Sequence, residues 1–278
     1  MAKSFGELGS KKSPKNVLIV DSLNICFRFK HSKKFEFAEE LSDLVKSLAH
    51  SYKCGRIIIT ADQGSSSYRK DIFPEYKGNR KEMIDNQTEQ EKEDFQKFFQ
   101  GYEEALEYLE DEFTVLRFPK VEADDIAAYL VKYKKDFGFE KMWLISTDRD
   151  WDLLLDNKVS RFSYITRKDY TLEAWGEAYE FHPDDYISFK CLTGDKGDNV
   201  PGVPGIGPKR ATQLINEYGS VFDIYESLPL QGNQKFIKNL NEFGEQLLTN
   251  VELMDLLTYC DEAIGKENIQ TIKELVNG

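Results

Sequence analysis

Aspartate is the residue this sequence places where chemistry would sit. Three short apolar, β-branched runs each lead into one: Asn16-Val17-Leu18-Ile19-Val20 into Asp21, Arg56-Ile57-Ile58-Ile59-Thr60-Ala61 into Asp62, and Lys141-Met142-Trp143-Leu144-Ile145-Ser146-Thr147 into Asp148. Further carboxylates come in groups: Glu122-Ala123-Asp124-Asp125, Asp148-Arg149-Asp150 with Asp152 nearby, and Asp195-Lys196-Gly197-Asp198. Each group alone has an ordinary explanation. Acids in a helix's first turn complement its macrodipole, Asp148 and Asp150 suit the cap of a short helix through Leu155, and residues 195–199 have turn composition. Jointly they mean something else. So many carboxylates at one sheet edge repel by several kcal/mol unless cations neutralise them. Two divalent ions roughly 3.5–4 Å apart would do so, and would also activate a water and stabilise a leaving oxygen. The chemistry implied is phosphoryl-ester hydrolysis.

The elements that must position these acids follow from periodicity. Continuous apolar runs suit strands buried on both faces, as in a parallel sheet covered by helices. Residues 37–52 carry Leu41, Leu44, Val45 and Leu48 at helical spacing, a fourth strand fits 113–118, and a helix follows from about 123 to 135. This alternation predicts a doubly wound, mostly parallel α/β core over residues 16–182, preceded by a flexible tail at 1–15. Ligands in such sheets bind beyond the strands' carboxyl ends, where the aspartates would stand. Residues 76–112 form a charged insertion. Its second half lines Phe95, Phe98, Phe99, Tyr102, Leu106 and Leu109 on one helical face, whereas 81–93 is polar and reads as a mobile helix or a disordered loop. From 183 to 278 the chain reads as helical, with a turn cluster at 194–207, a helix at 208–218 and another at 234–254.

Composition narrows the classes. The net charge of −12, from 49 acids against 37 bases, taken alone disfavours nucleic acid, but local potential governs steering when acids and bases segregate. The cysteines (Cys26, Cys54, Cys191, Cys260) form no C-x-x-C pair, which argues against a zinc site or disulfide framework and fits a reducing cytoplasm. Three histidines are too few for an imidazole-based hydrolase, so any metal is expected to be held by oxygen, as Mg²⁺ or Mn²⁺ are. No apolar run is long enough to cross a bilayer, and residues 1–15 lack the apolar segment of a signal peptide.

Five segments in order carry a family resemblance: Asp21 after Val17-Leu18-Ile19-Val20, Pro74-Glu75-Tyr76-Lys77-Gly78-Asn79-Arg80, Val121-Glu122-Ala123-Asp124-Asp125, Ser146-Thr147-Asp148-Arg149-Asp150, and the run from Gly194 through Asp195, Asp198 and Gly202 to Gly207. Together they resemble the 5′-nuclease (flap endonuclease) family, especially the bacteriophage 5′–3′ exonucleases and the nuclease domain of bacterial DNA polymerase I. The resemblance implies a PIN-like nuclease core, a helical arch at 76–112 and a helix-hairpin-helix element at about 194–218. It implies a site of two or more Mg²⁺ or Mn²⁺ ions held by Asp21, Asp62, Glu122, Asp124, Asp125, Asp148, Asp150, Asp195 and Asp198. Lys77 and Arg80, taken as i and i+3 on one helix face, are expected to reach the scissile phosphate, and Tyr76 to stack on an unpaired base. Gly202, Gly205 and Gly207 would bring backbone N–H groups to a phosphate, with Lys209 and Arg210 adding contacts and K⁺ bound at the same loop. Arg28, Lys30, Arg69 and Lys235 are weaker candidates for DNA contacts. The implied substrate is branched or flapped DNA with a 5′ end, RNA being a second possibility, and the implied state is a monomer in the cytoplasm, that of the host if phage-encoded.

Rivals fail on particular residues. A P-loop would need lysine where Pro208 stands, and a phosphotransferase with Asp-x-Asp after its first strand would need an acid where Leu23 stands. The hairpin at 202–210 and the arch start at 76–80 argue against a PIN-type ribonuclease. The intact acid set argues against a DNA-binding protein without catalysis.

Overall fold

An apolar β-branched strand must be covered on both faces, and the strands here are. A computed structural model describes residues 12–278. The first part of the chain runs β1 (Ser13–Asp21), α1 (Ser22–His31), α2 (Ala38–Ser51), β2 (Cys54–Gln63), α3 (Ser67–Ile72), α4 (Asn79–Asp85), α5 (Glu89–Glu110), β3 (Thr114–Pro119), α6 (Ala123–Lys132), β4 (Lys141–Ile145), β5 (Val159–Ser163) and β6 (Lys168–Tyr170). A 3-10 turn, Arg149–Leu154, follows β4. The rest is α7 (Trp175–Ala178), α8 (Tyr186–Thr193), α9 (Pro208–Tyr218), α10 (Val221–Glu226), α11 (Lys235–Glu242), α12 (Gly244–Met254), α13 (Leu256–Ile264) and α14 (Lys266–Asn277).

The sheet order is β3-β2-β1-β4-β5-β6, parallel except for β6. Alternate residues of β1 serve opposite cores. Val17 and Ile19 join α6 and the C-terminal helices, while Leu18 and Val20 join α1, α2 and α5. The chain winds outward from β1 in both directions, so the β1–β4 boundary is the topological switch point. A third core, formed by the C-terminal helices and the hairpin residues Val200, Val203 and Ile206, takes in Tyr76 from the base of the arch.

Two expectations are corrected. The sheet begins at Ser13, which pairs with Cys54, so residues 13–15 are not tail; residues 1–11 lie outside the described residues. Residues 234–254 form two helices rather than one, because Phe243 leaves helical geometry and Gly244 lets Leu228 pack close to its backbone. Of the two readings of the polar stretch 81–93, the structure has the helical one: the stretch takes in most of α4 and the start of α5. There Thr88 and Glu91 satisfy each other's backbone N–H groups in a capping box.

Candidate active site

β1 ends in Asp21, Asp62 is the last residue but one of β2, and the turn after β4 supplies Asp148 and Asp150. Asp124 rises from the first turn of α6. The helix-capping explanation for the acids at 122–125 does not hold. The N–H of Ala123 donates instead to Asp62 (2.7 Å), while Asp124 accepts from the Trp151 indole (2.6 Å). Asp21 accepts from the Ser146 hydroxyl (2.7 Å) and from the N–H of Asn24 (3.2 Å).

None of these four central acids, Asp21, Asp62, Asp124 and Asp148, has an ion-pair partner among the described residues. Burial, then the neighbouring charge of Asp62, pushes Asp21 up to about 8. Burial raises Asp62 as well, and burial with the charges of Asp148, Asp21 and Asp62 raises Asp124 further. The middle of the cluster is short of positive charge.

Its flanks are not. On the arch side, Glu122 meets Lys77 (2.7 Å) and Arg69 (3.6 Å) and accepts from the Tyr76 hydroxyl (2.9 Å). Burial would raise Glu122, but Lys77 and Arg69 outweigh it and hold the carboxyl below its usual range. Asp198 accepts from Arg80 and Tyr76 (2.9 Å each), with Lys77 at 3.7 Å. On the hairpin side, the buried Lys190 bridges Asp150 and Asp195 (3.3 Å to the latter). Asp195 is held low because Lys190 and the N–H groups of Gly197 and Asp198 overcome its burial.

Several expected roles change. Asp125 is fully buried, with both oxygens taken by Arg69 (2.7 Å each), so it forms an ion pair behind the cluster rather than an open donor. Arg69 is 2% exposed for the same reason and does not face DNA. Tyr76, also buried, spends its hydroxyl on Glu122 and Asp198 and offers no face for stacking. Lys77 precedes α4 with a positive φ of 56°, so it and Arg80 do not share a helix face; they converge through Asp198 instead.

In the hairpin, Gly205 takes a φ of +86° and its carbonyl accepts from Arg210. Gly207 caps α9 with open space beside it. Gly202 serves packing: a β-carbon there would stand 2.2 Å from the Thr193 backbone, and one on Gly194 would stand 2.2 Å from the Gly202 nitrogen. Lys209, Arg210 and Lys235 are exposed, and the last two line a cleft of about 350 Å³ with Gly205, Phe236 and Asn239. Arg28 is exposed at the end of α1, while Lys30 lies over the Phe95 ring at 4.5 Å.

Sequence reasoning missed Lys190, Ser146, Asn24 and Trp151. It also missed the buried Asp152–Arg161 pair (2.6 Å), whose Arg161 donates to the Ser146 carbonyl (3.0 Å) below Asp21 and Asp148. The available signal was a lone cation inside an apolar element: Lys190 in α8 and Arg161 in β5.

Among the described residues no three His, Cys, Asp or Glu side chains already close into a metal cage. The donor set nonetheless fits hard cations. All donors are carboxylates, the central four lack counter-charge, and an ion such as Mg²⁺ keeps several waters and needs only one or two protein oxygens.

Acids at the switch point of a doubly wound sheet, an arch and a helical hairpin define the fold of a 5′-nuclease. Residues 16–180 match the 5′–3′ exonuclease N-terminal resolvase-like domain, and residues 181–274 match the 5′–3′ exonuclease C-terminal SAM fold. The chain belongs to the 5′–3′ exonuclease family and is a nuclease, hydrolysing phosphodiester bonds. It is 45% identical to the flap endonuclease of Escherichia phage T5 over 95% of this chain and 93% of that one. It is 31% identical to Bacillus subtilis DNA polymerase I, covering 77% of this chain but 24% of the polymerase. The T5 D15 flap endonuclease, solved as a pseudo-enzyme–product complex with DNA and metal ions, superposes with a TM-score of 0.90 at 42% identity, over 95% of this chain and 100% of that one. No helix among the described residues is long and apolar enough to cross a membrane.

Proposed function

We propose that this nuclease cuts DNA near a 5′ end, at the junction of single and double strands, leaving a 5′-phosphate and a 3′-hydroxyl. The observation that carries this reading is the group of four central carboxylates with no ion-pair partner among the described residues. Asp21, Asp62, Asp124 and Asp148 would hold Mg²⁺ or Mn²⁺, with Asp150, Asp195, Asp198 and Glu122 completing the shell directly or through water. Bound there, such ions supply Lewis-acid stabilisation and activation of water.

The chain's own residues orient the DNA. Arg80, half exposed, pairs with Asp198 in the free protein and is placed to turn toward a phosphate whose charge builds in the transition state. Lys77 holds Glu122 and lends its charge to the same point. The Gly205 turn, the α9 N-terminus, Lys209, Arg210 and Lys235 grip duplex phosphates, with K⁺ at the hairpin as part of the same reading. A single strand passes under α4 and α5. The working unit in this reading is a monomer comprising a nuclease core at 16–182 and a helical region at 183–278, with RNA as a second substrate.

The test is cleavage of a 5′-labelled flap oligonucleotide with Mg²⁺, with EDTA, and by Asp148→Asn. The expected result is cutting near the junction that EDTA abolishes and the variant lowers by about 10²-fold or more, while binding persists. Tight binding of the flap without cutting by the wild type would overturn the reading.

A further inference from the structure

The sheet edge away from the arch carries a feature that the mechanism above does not use. β5 ends at Ser163, on the same side of the sheet as Asp21, Asp62 and Asp148, and the chain turns through residues 164–167 into β6. At the tip Ile165 is 71% exposed, the most exposed large apolar residue among those described. Beside it Arg167 and Lys168 are exposed and have no ion-pair partner among the described residues, in a chain of net charge −12.

The turn is fastened to the site. The Tyr164 hydroxyl donates to the Asn24 carbonyl (2.6 Å), the Asn24 side chain accepts the N–H and hydroxyl of Thr147 (2.9 Å each), and the Asn24 N–H donates to Asp21. Arg28, one helical turn beyond Asn24 and on the same face of α1, is exposed as well. With strands about 4.8 Å apart, the tip stands within about 10 Å of β4. Along the axis of a duplex, that span covers about three phosphates of one strand, at about 3.4 Å of axis per phosphate.

A single exposed isoleucine is ordinary, and a lysine on an edge strand commonly guards against edge pairing. Edge protection accounts for Lys168. It does not account for Arg167, which lies in the turn, or for Ile165, which works against it.

We propose that the β5–β6 turn is a second DNA contact. Arg167 and Lys168, with Arg28, take phosphates of the strand leaving the carboxylates on the side away from the arch, and Ile165 packs on the base-pair face exposed at the junction. The proposal rests on the nuclease reading of the carboxylate site.

The experiment is fluorescence-anisotropy binding of a 5′-flap oligonucleotide by the full chain in EDTA over a range of salt. Losing two phosphate contacts in Arg167→Ala/Lys168→Ala should reduce the slope of log affinity against log salt by about 1.8. Lys266→Ala/Lys273→Ala removes the same charge from α14, whose end meets Arg56 at the start of β2, and should leave the slope unchanged. Ile165→Ala should weaken binding of the flap but not of a continuous duplex. A wild-type slope in the Arg167→Ala/Lys168→Ala protein, an equal change in the α14 control, or equal weakening of flap and duplex by Ile165→Ala overturns the proposal. Failure of the nuclease reading would appear separately, as a wild type that does not cut with Mg²⁺.

Discussion

The centre and the flanks of the carboxylate cluster are built from the same residue type and behave oppositely. At the flanks, Arg69, Lys77, Arg80 and Lys190 neutralise Glu122, Asp125, Asp198, Asp150 and Asp195 from within the chain. In the centre, the buried Asp21 and the half-buried Asp62 and Asp124 stand beside one another and rise above their ordinary range. The difference separates two jobs. The flanks are neutralised from within the chain, whereas the centre stores repulsion that an external cation, bound as proposed, would relieve.

The strongest way to break this comparison is Arg69→Met. It strands the fully buried Asp125 without its partner, while Glu122 keeps Lys77, and should cost about 3–5 kcal/mol in denaturant unfolding. Because the pair lies behind the cluster, Mg²⁺ should not restore the loss. Restoration by Mg²⁺ would put Asp125 back among the ion ligands.

A smaller effect is expected from pH. Asp21, raised from 3.8 to about 8, keeps in the folded state a proton that the unfolded chain releases. The folded protein therefore binds more protons between those values, and its stability falls as pH rises from about 4 to about 8. Melting in EDTA should drop by several degrees between pH 5 and pH 8, since 1 kcal/mol moves Tm by about 2–4 °C at this size. Mg²⁺ should flatten the profile. A flat profile in EDTA would mean that the centre carries no stored repulsion.

The smallest effect sharpens the contrast. Lys132 and Asp261 form a half-exposed pair far from the cluster, and Lys132→Ala should cost less than about 1 kcal/mol. A larger loss there would make burial irrelevant to what the flanking pairs contribute.

The central acids were legible in the sequence, whereas the pairing of Arg69 and Lys190 with the flanking acids was not, for a physical reason. Asp21 and Asp62 end apolar runs whose periodicity fixes both strand and direction, so a local pattern finds them. Asp148 was found in the same way, although β4 stops at Ile145 and the acid stands in the turn beyond. Helix α9 was legible at both ends because Pro208 and Gly219 frame an amphipathic run. Arg69 meets Asp125 56 residues away and Lys190 meets Asp150 40 residues away, pairings that no local window contains, although Asp195, the second acid of Lys190, lies only five residues on. The same limit explains Tyr76: nothing in its neighbours says that its ring belongs to the core of the C-terminal helices.

The backbone contact of Gly194 with Gly202 has a further consequence. With no side chain on either residue, the loop bearing Asp195 and Asp198 and the hairpin that begins α9 are pressed into one rigid block. A duplex gripped by the hairpin, as proposed, would thereby be held at a set distance from those carboxylates. The block would then work as a ruler, and it predicts that the cut falls at a constant offset from the duplex end, whatever the length of the free strand.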